Sequence, residues 1–232
     1  MDPSPYLGEF LGTFFLIFLG ESVVGNILLK GTKGHNAGLI LITTAWGLAV
    51  MTGVFVAQKF GSTAAHLNPA LSIAFAFQSG DWSQVPGYIL AQMGGAFLGA
   101  VCTYLLFYPH WKITENAGDK LAVFATGPAI RHAPSNFFAE MSGTFVLMVG
   151  VSSIYATEGS GLAPFLVGML VFVIGNALGG TTGYAINPAR DLAPRLAHFV
   201  LPIPGKGSSD WGYAWIPLLA PIVGACLGIL LF

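Results

Sequence analysis

The sequence predicts an all-α membrane protein, with six transmembrane helices plus two re-entrant half-helices in an inverted repeat. Three observations lead there. Of 232 residues, 54% are hydrophobic and 8% are charged, against about 25% charged in soluble domains, so lipid is the expected solvent. The apolar residues fall into six runs of roughly spanning length and two runs about half as long. The markers of the first half recur in the same order in the second.

A span needs about 20 mostly apolar residues. Spans are predicted at 6–29, 37–57, 85–108, 137–157, 162–178 and 215–232. The start, Met1-Asp2-Pro3-Ser4-Pro5, has no basic n-region and no clear cleavage site, so the first run is expected to stay as a span. Segments 68–77 and 187–196 are 10 residues each, and as helix they reach ~15 Å, half the hydrocarbon core. They read as re-entrant half-helices. The longest polar connection, 109–134, gathers Lys112, Glu115, Asp119, Lys120 and Arg131. It is expected to be a surface loop without chemistry. Cys102 and Cys226 both lie inside apolar runs and are read as small core residues rather than a disulfide. A net charge of −1 gives no electrostatic case for nucleic acid or another polyanion as partner.

The repeat decides the architecture. Glu9-Phe10-Leu11-Gly12-Thr13-Phe14 returns as Glu140-Met141-Ser142-Gly143-Thr144-Phe145, and Asn68-Pro69-Ala70 returns as Asn187-Pro188-Ala189. Gly95-Ala96-Phe97-Leu98-Gly99 returns as Gly224-Ala225-Cys226-Leu227-Gly228. A first repeat of about 6–108 and a second of about 137–232 thus form a single transmembrane domain over 1–232. Each repeat holds three spans, an odd number, so the second enters the membrane inverted and the half-helices come from opposite faces. Their N-termini should meet near the midplane, where non-helical backbone must be buried in protein or line water. The pairs Gly8/Gly12, Gly95/Gly99, Gly175/Gly179 and Gly224/Gly228 each share a helix face and predict close helix packing.

Asn followed by Pro is a good helix start. Asn68 and Asn187 can each cap free amides with the side-chain oxygen, and Pro at the first helical position loses no needed donor. The NH2 of each would then face outward as a donor, backed by the positive end of a helix dipole. That setting favours neutral oxygen-bearing solutes and repels cations. Glu9 and Glu140 hold equivalent places in the two repeats. A proton relay is one reading. The favoured one makes them acceptors for exposed loop amides, since each repeat has one irregular loop and one carboxylate to satisfy it. His66 is read as a hydrogen-bonder that fixes its loop, because no second His or Cys stands beside it at metal spacing. Arg190 sits in the first turn of a half-helix, where a cation opposes the dipole. Local stability does not ask for it there, whereas its five donors suit solute oxygens in a narrow lumen. Asp191 and Arg195, four apart, predict a structural ion pair. Glu21, near the end of the first span, has no obvious mate.

Paired Asn-Pro-Ala boxes, the repeated Glu-x-x-Gly-Thr, Ala65-His66-Leu67-Asn68-Pro69-Ala70 and Asn187-Pro188-Ala189-Arg190-Asp191 resemble the major intrinsic protein family of aquaporins and glycerol facilitators. The resemblance covers nearly the whole chain. Asp191 after Arg190 is similar to the glycerol-conducting branch, the aquaglyceroporins. The resemblance implies a multi-pass cell-membrane channel, a homotetramer with one pore per subunit. Such a channel passively conducts glycerol, water and other small neutral solutes while excluding ions and protons. Dihydroxyacetone, urea, hydrogen peroxide and lactic acid are further candidate solutes.

By motif position the resemblance also implies a selectivity filter of Trp46, Gly175, Tyr184 and Arg190 above the two asparagines. Trp46 and Tyr184 would form an apolar corner for a carbon backbone, Arg190 would face its hydroxyls, and Gly175 would leave room. The alternative for Gly175 is a packing glycine paired with Gly179. Three departures stand out. Thr63-Ala64-Ala65-His66 replaces the usual Ser-Gly-Ala-His, the run from Trp46 to Asn68 is about two residues longer, and Tyr184 replaces the commoner Phe. Family topology places both termini in the cytoplasm, leaving Lys59 as the one Lys or Arg on the inner loops, against the positive-inside rule. The resemblance outweighs it, because Arg190 and Arg195 belong to a re-entrant segment and a long loop can translocate regardless of charge. A secondary transporter would need coupling ionisable groups at the midplane, for which Glu9 and Glu140 are the candidates. No nucleophile–base set stands on neighbouring turns, so no enzymatic activity and no cofactor are expected.

Overall fold

A computed structural model describes residues 3–232 of the chain, and among them every regular element is a helix. The first half contains α1 (Pro5–Leu28), α2 (Leu39–Lys59), α3 (Pro69–Ser79) and α4 (Val85–Leu106). Two short helices, α5 (Tyr108–Ile113) and α6 (Ala117–Phe124), lead to the second half. That half contains α7 (Ala133–Thr157), α8 (Ala163–Leu178), α9 (Pro188–Val200) and α10 (Trp215–Ile229). Local chemistry sets the ends. Ser4 Oγ accepts from Leu7 N at 3.1 Å ahead of Pro5, and Gly80, at φ 76°, stops α3 in the left-handed region.

Helices α1, α2, α4 and α7 are each long and apolar enough to cross a membrane. Helices α8 and α10 have 16 and 15 residues, ~24 and ~22 Å of rise. The spans predicted for them, 162–178 and 215–232, are therefore shorter as helix. Hydrogen-bonded turns extend both. Gly183 N donates to Gly179 O after α8, and Tyr213 N to Asp210 O before α10. Half-helices α3 and α9 have 11 and 13 residues.

The expectation for 109–134 needs correction. It is folded, and part of it is buried: Trp111, Lys120, Val123 and Phe124 are all inside. Asn116 Oδ1 accepts from Gly118 N at 2.8 Å to start α6, and the apolar end of that helix packs against α1 and α9. Lys120 reaches inward to the carbonyl of Pro204.

Equivalent contacts relate the two halves: α1 packs on α4 as α7 does on α10, and α1 on α2 as α7 does on α8. The halves also interlock. Half-helix α3 packs more extensively on α10 than on α4, and α9 packs more on α4 than on α10. Each re-entrant element is thus buried mainly against the opposite repeat.

Glycine makes the tightest crossings possible. A Cβ on Gly95 would overlap the Phe10 carbonyl oxygen, and one on Gly224 would overlap that of Met141, the equivalent contact in the second half. These neighbours are helix backbone and cannot swing away. Gly224→Val is accordingly expected to destabilise the fold by roughly 3 kcal/mol or more, the upper end for an overpacked core. A melting curve in detergent checks this, and an unchanged midpoint would show that α7 and α10 can separate freely.

Candidate functional site

The site is built where the half-helices meet end to end. Asn68 Oδ1 accepts from Ala70 N at 2.9 Å, and Asn187 Oδ1 accepts from Ala189 N at 3.0 Å and Arg190 N at 3.3 Å. Each asparagine also reaches across the repeat. Asn68 Nδ2 donates to Ile186 O and Asn187 Nδ2 to Leu67 O, both at 2.8 Å. The expectation of a wholly free NH2 is therefore revised. One hydrogen of each amide is held by the opposite loop, and one remains for the cavity that both residues line.

The loops are bent to make this possible. Ala65 and Leu67 have φ of 45° and 51°, and their equivalents Tyr184 and Ile186 have 39° and 44°. Left-handed backbone at four non-glycine residues costs of order 1–3 kcal/mol each. The reward lies in where the amides and carbonyls point. His66 N and Leu67 N donate to the two oxygens of Glu9 at 2.8 and 2.7 Å. Ala185 N and Ile186 N donate to those of Glu140 at 3.0 and 2.8 Å. Glu9 accepts further bonds from Ser62 Oγ at 2.6 Å and Gln92 Nε2 at 2.8 Å. Both carboxylates are buried. The His66 ring stacks on Phe75 with centroids 5.0 Å apart, and its Nδ1 lies 3.1 Å from Ser72 Oγ. Among the described residues no group of His, Cys, Asp or Glu could hold a metal ion.

Arg190 and Trp46 come together as the motif positions anticipated. The guanidinium carbon lies 4.2 Å from the Trp46 ring centroid, and Nη1 donates to Phe124 O at 3.4 Å. Asp191 anchors the segment from behind. Its Oδ2 accepts from Thr126 N at 2.8 Å and Thr126 Oγ1 at 2.7 Å, and its Oδ1 lies 2.7 Å from Arg195 Nη2. Arg195 in turn gives its remaining donors to Asp191, Thr126, Ser209 and Asp210, so every N–H of this buried cation has an acceptor. Phe124 and Thr126 are the functional neighbours that sequence reasoning missed. The Asn116 cap ahead of Leu121-Ala122-Val123-Phe124 was the signal for them.

Trp46, Tyr184, Arg190, Asn68, Asn187 and His66 all line one cavity of about 670 Å³ that continues to Asp81, Tyr155 and Phe232. Gly175 does not line it. A Cβ there would lie 2.9 Å from both Tyr184 Cζ and Thr43 Cγ2, and one on Gly179 would overlap Tyr184 Cδ1. The room left by Gly175 is thus taken by the Tyr184 ring. Instead of facing the cavity directly, Gly175 joins Gly179 in seating the Tyr184 ring.

Two half-helix N-termini around a mainly apolar cavity, with a buried cation at its wall, define a helical membrane channel protein. The chain belongs to the major intrinsic protein family, whose model (MIP: Major intrinsic protein) matches residues 4–232. It is 54% identical over 231 residues to a probable glycerol uptake facilitator protein of Thermotoga maritima, covering 99% of this chain and 98% of that one. It is 50% identical to the glycerol uptake facilitator protein of Streptococcus pneumoniae R6, covering 97% of this chain and 96% of that one. The X-ray structure of the aquaglyceroporin from Plasmodium falciparum superposes with a TM-score of 0.83 at 31% identity, over 97% of this chain and 93% of that chain.

The unequal acceptance by the two carboxylates has a measurable consequence. Gln presents one acceptor oxygen and an NH2 that would confront a loop amide, and each charged hydrogen bond is worth ~1.5–3 kcal/mol. Glu9→Gln should lower the detergent melting temperature more than Glu140→Gln does, because Glu9 serves four donors. Neither change should alter the glycerol-to-water flux ratio per folded molecule. Intact stability with a lost pH dependence of flux would instead support the proton relay.

Proposed function

We propose that this protein is a passive transmembrane channel that conducts glycerol, water and other small neutral solutes while excluding ions and protons. The observation that carries the reading is the single cavity that joins Arg190, Trp46 and Tyr184 to the two asparagines. An aromatic corner suits the carbon side of a polyol, and the unengaged Arg190 donors suit its hydroxyls. Trp46, Gly175, Tyr184 and Arg190 act as the filter, with Gly175 seating the tyrosine. Asn68 and Asn187 each offer one N–H to the solute at the pore centre, while Glu9, Glu140, His66 and Asp191 support the loops. Two half-helix N-termini of roughly +0.5 charge each and one arginine repel cations. Two converging donors orient a central water with both its hydrogens facing away, which interrupts a proton wire. Names of glycerol uptake facilitators among the relatives support glycerol as the principal solute. Dihydroxyacetone, urea, hydrogen peroxide and lactic acid are further solutes by size and neutrality. Exposed leucines along α4, including Leu90, Leu98 and Leu105, suit lipid or neighbouring subunits of a homotetramer. Both termini lie on the cytoplasmic side by family topology.

Stopped-flow light scattering on proteoliposomes tests the reading. Glycerol and water should equilibrate faster than in empty vesicles, without saturation at low concentration and without dependence on a proton gradient. Saturable or proton-driven flux would replace the channel with a transporter. Gly175→Ala should push the Tyr184 ring into the lumen and lower the glycerol-to-water permeability ratio, by about tenfold if the narrowing costs glycerol ~1.4 kcal/mol. Gly175→His should lower it further. An unchanged ratio in correctly assembled Gly175→Ala would detach Gly175 from the filter.

A further inference from the structure

His198 is a buried imidazole that none of the roles above employs. It stands in the last turn of α9 with no exposed surface. Nδ1 lies 2.8 Å from Ser209 Oγ, and Nε2 is buried without a hydrogen-bond partner among the described residues. The ring packs on that of Phe124, with centroids 5.6 Å apart. A helical rise of ~15 Å separates it from Pro188 at the meeting point of the half-helices, which brings it to the edge of the hydrocarbon core, within reach of bulk protons.

Both residues in contact with the ring also hold an arginine. Phe124 O accepts from Arg190 Nη1 at 3.4 Å, and Ser209 O accepts from Arg195 Nη1 at 2.8 Å. Arg195 is the ion-pair partner of Asp191, the residue after Arg190. One imidazole therefore braces the wall of the proposed filter from two sides.

The surroundings favour a neutral ring. In either tautomer, protonation produces an Nε2–H that meets no acceptor among the described residues. Cations stand on the elements around it. Lys206 Nζ donates to His198 O at 2.7 Å, Arg195 shares Ser209 with the ring, and Lys120, one turn before Phe124 on α6, donates to Pro204 O. Of the carboxylates on these elements, Asp191 is engaged by Arg195 and Asp210 by Arg131, and Asp119 stands in the first turn of α6. Helices α3, α4 and α10, which also pack on α9, carry no Asp, Glu, Lys, Arg or His. Burial, with Lys206 and Arg195 beside the ring, accordingly holds His198 below the usual histidine range, at about 4.

We propose that His198 is a positioning residue of the filter and its acid switch: neutral, it braces Phe124 and Ser209, and protonated, it leaves its seat and lets Arg190 shift. It touches no solute and acts through those two residues. A polyol fills the lumen more than water does and uses the Arg190 donors for its hydroxyls, so acid lowers glycerol flux more than water flux. The inference rests on Arg190 facing the conducted solute, as argued above.

Glycerol and water permeabilities of proteoliposomes at about pH 7 and about pH 4, corrected for the leak of empty vesicles, test it. Wild-type flux at neutral pH examines the channel reading by itself. At the lower pH the wild-type glycerol-to-water ratio should fall by about twofold, since about half of the rings then carry the proton, and it should recover on return to neutral pH. His198→Asn keeps a neutral amide where Nδ1 stands and cannot take up the charge, so its ratio should hold across the same step. Loss of packing alone would not separate the two pH profiles. If His198→Asn does not assemble, His198→Gln supplies the uncharged amide. A wild-type ratio that does not move with pH overturns the proposal, as does an assembled amide variant whose ratio falls as far as that of the wild type.

Discussion

Two stretches of backbone that are not helical lie at the centre of a helical membrane protein, and their amides must be satisfied there. Lipid offers nothing to an unpaired N–H. Glu9 and Glu140 answer that demand from inside α1 and α7, each taking two consecutive amides of one loop. With the amides held, the left-handed residues Leu67 and Ile186 present their carbonyls to the asparagine of the opposite loop. The carboxylates, the backbone strain and the asparagine bridges are therefore one device. Remove the acceptors and the loop amides that set the half-helix N-termini face to face lose their partners.

The proposed filter inherits its position from the same device. Arg190 follows Asn187 by three residues, so capping α9 also fixes where the guanidinium starts. Its direction is set by Trp46 and Phe124, and the segment is locked to the 109–134 connection through Asp191, Arg195 and Thr126. Tyr184 is doubly placed, as one of the strained loop residues and as the ring seated over Gly175 and Gly179.

The repeat, the half-helices, the asparagine caps and the Asp191–Arg195 pair were legible because each depends on local spacing or on self-similarity. The pairing of Arg190 with Trp46 became legible only through family resemblance, since 144 residues separate them in the chain. What could not be read depends on how distant backbones approach. The Asn68 bond to Ile186 O needs a carbonyl turned by a positive φ, which no residue type announced: Ile is among the least expected residues in that conformation. The seat of Tyr184 on Gly175 was hidden because a glycine facing an aromatic ring and one facing a lumen look alike in sequence. The 109–134 connection was misread because its charged residues outweighed a four-residue apolar run, and it was that run which packed.

The exchange of half-helices between the repeats bears on how the molecule is made. Helix α3 emerges early from the ribosome, yet its more extensive packing is on α10, the final helix in chain order. Until α10 arrives, α3 lacks its larger packing surface, and until the second loop arrives Asn68 Nδ2 has no Ile186 carbonyl to reach. Glu9 and Gln92 belong to the first half and can already shelter the first loop. That gives the richer carboxylate network to the repeat that must wait longer, with the second loop closing onto a template already in place.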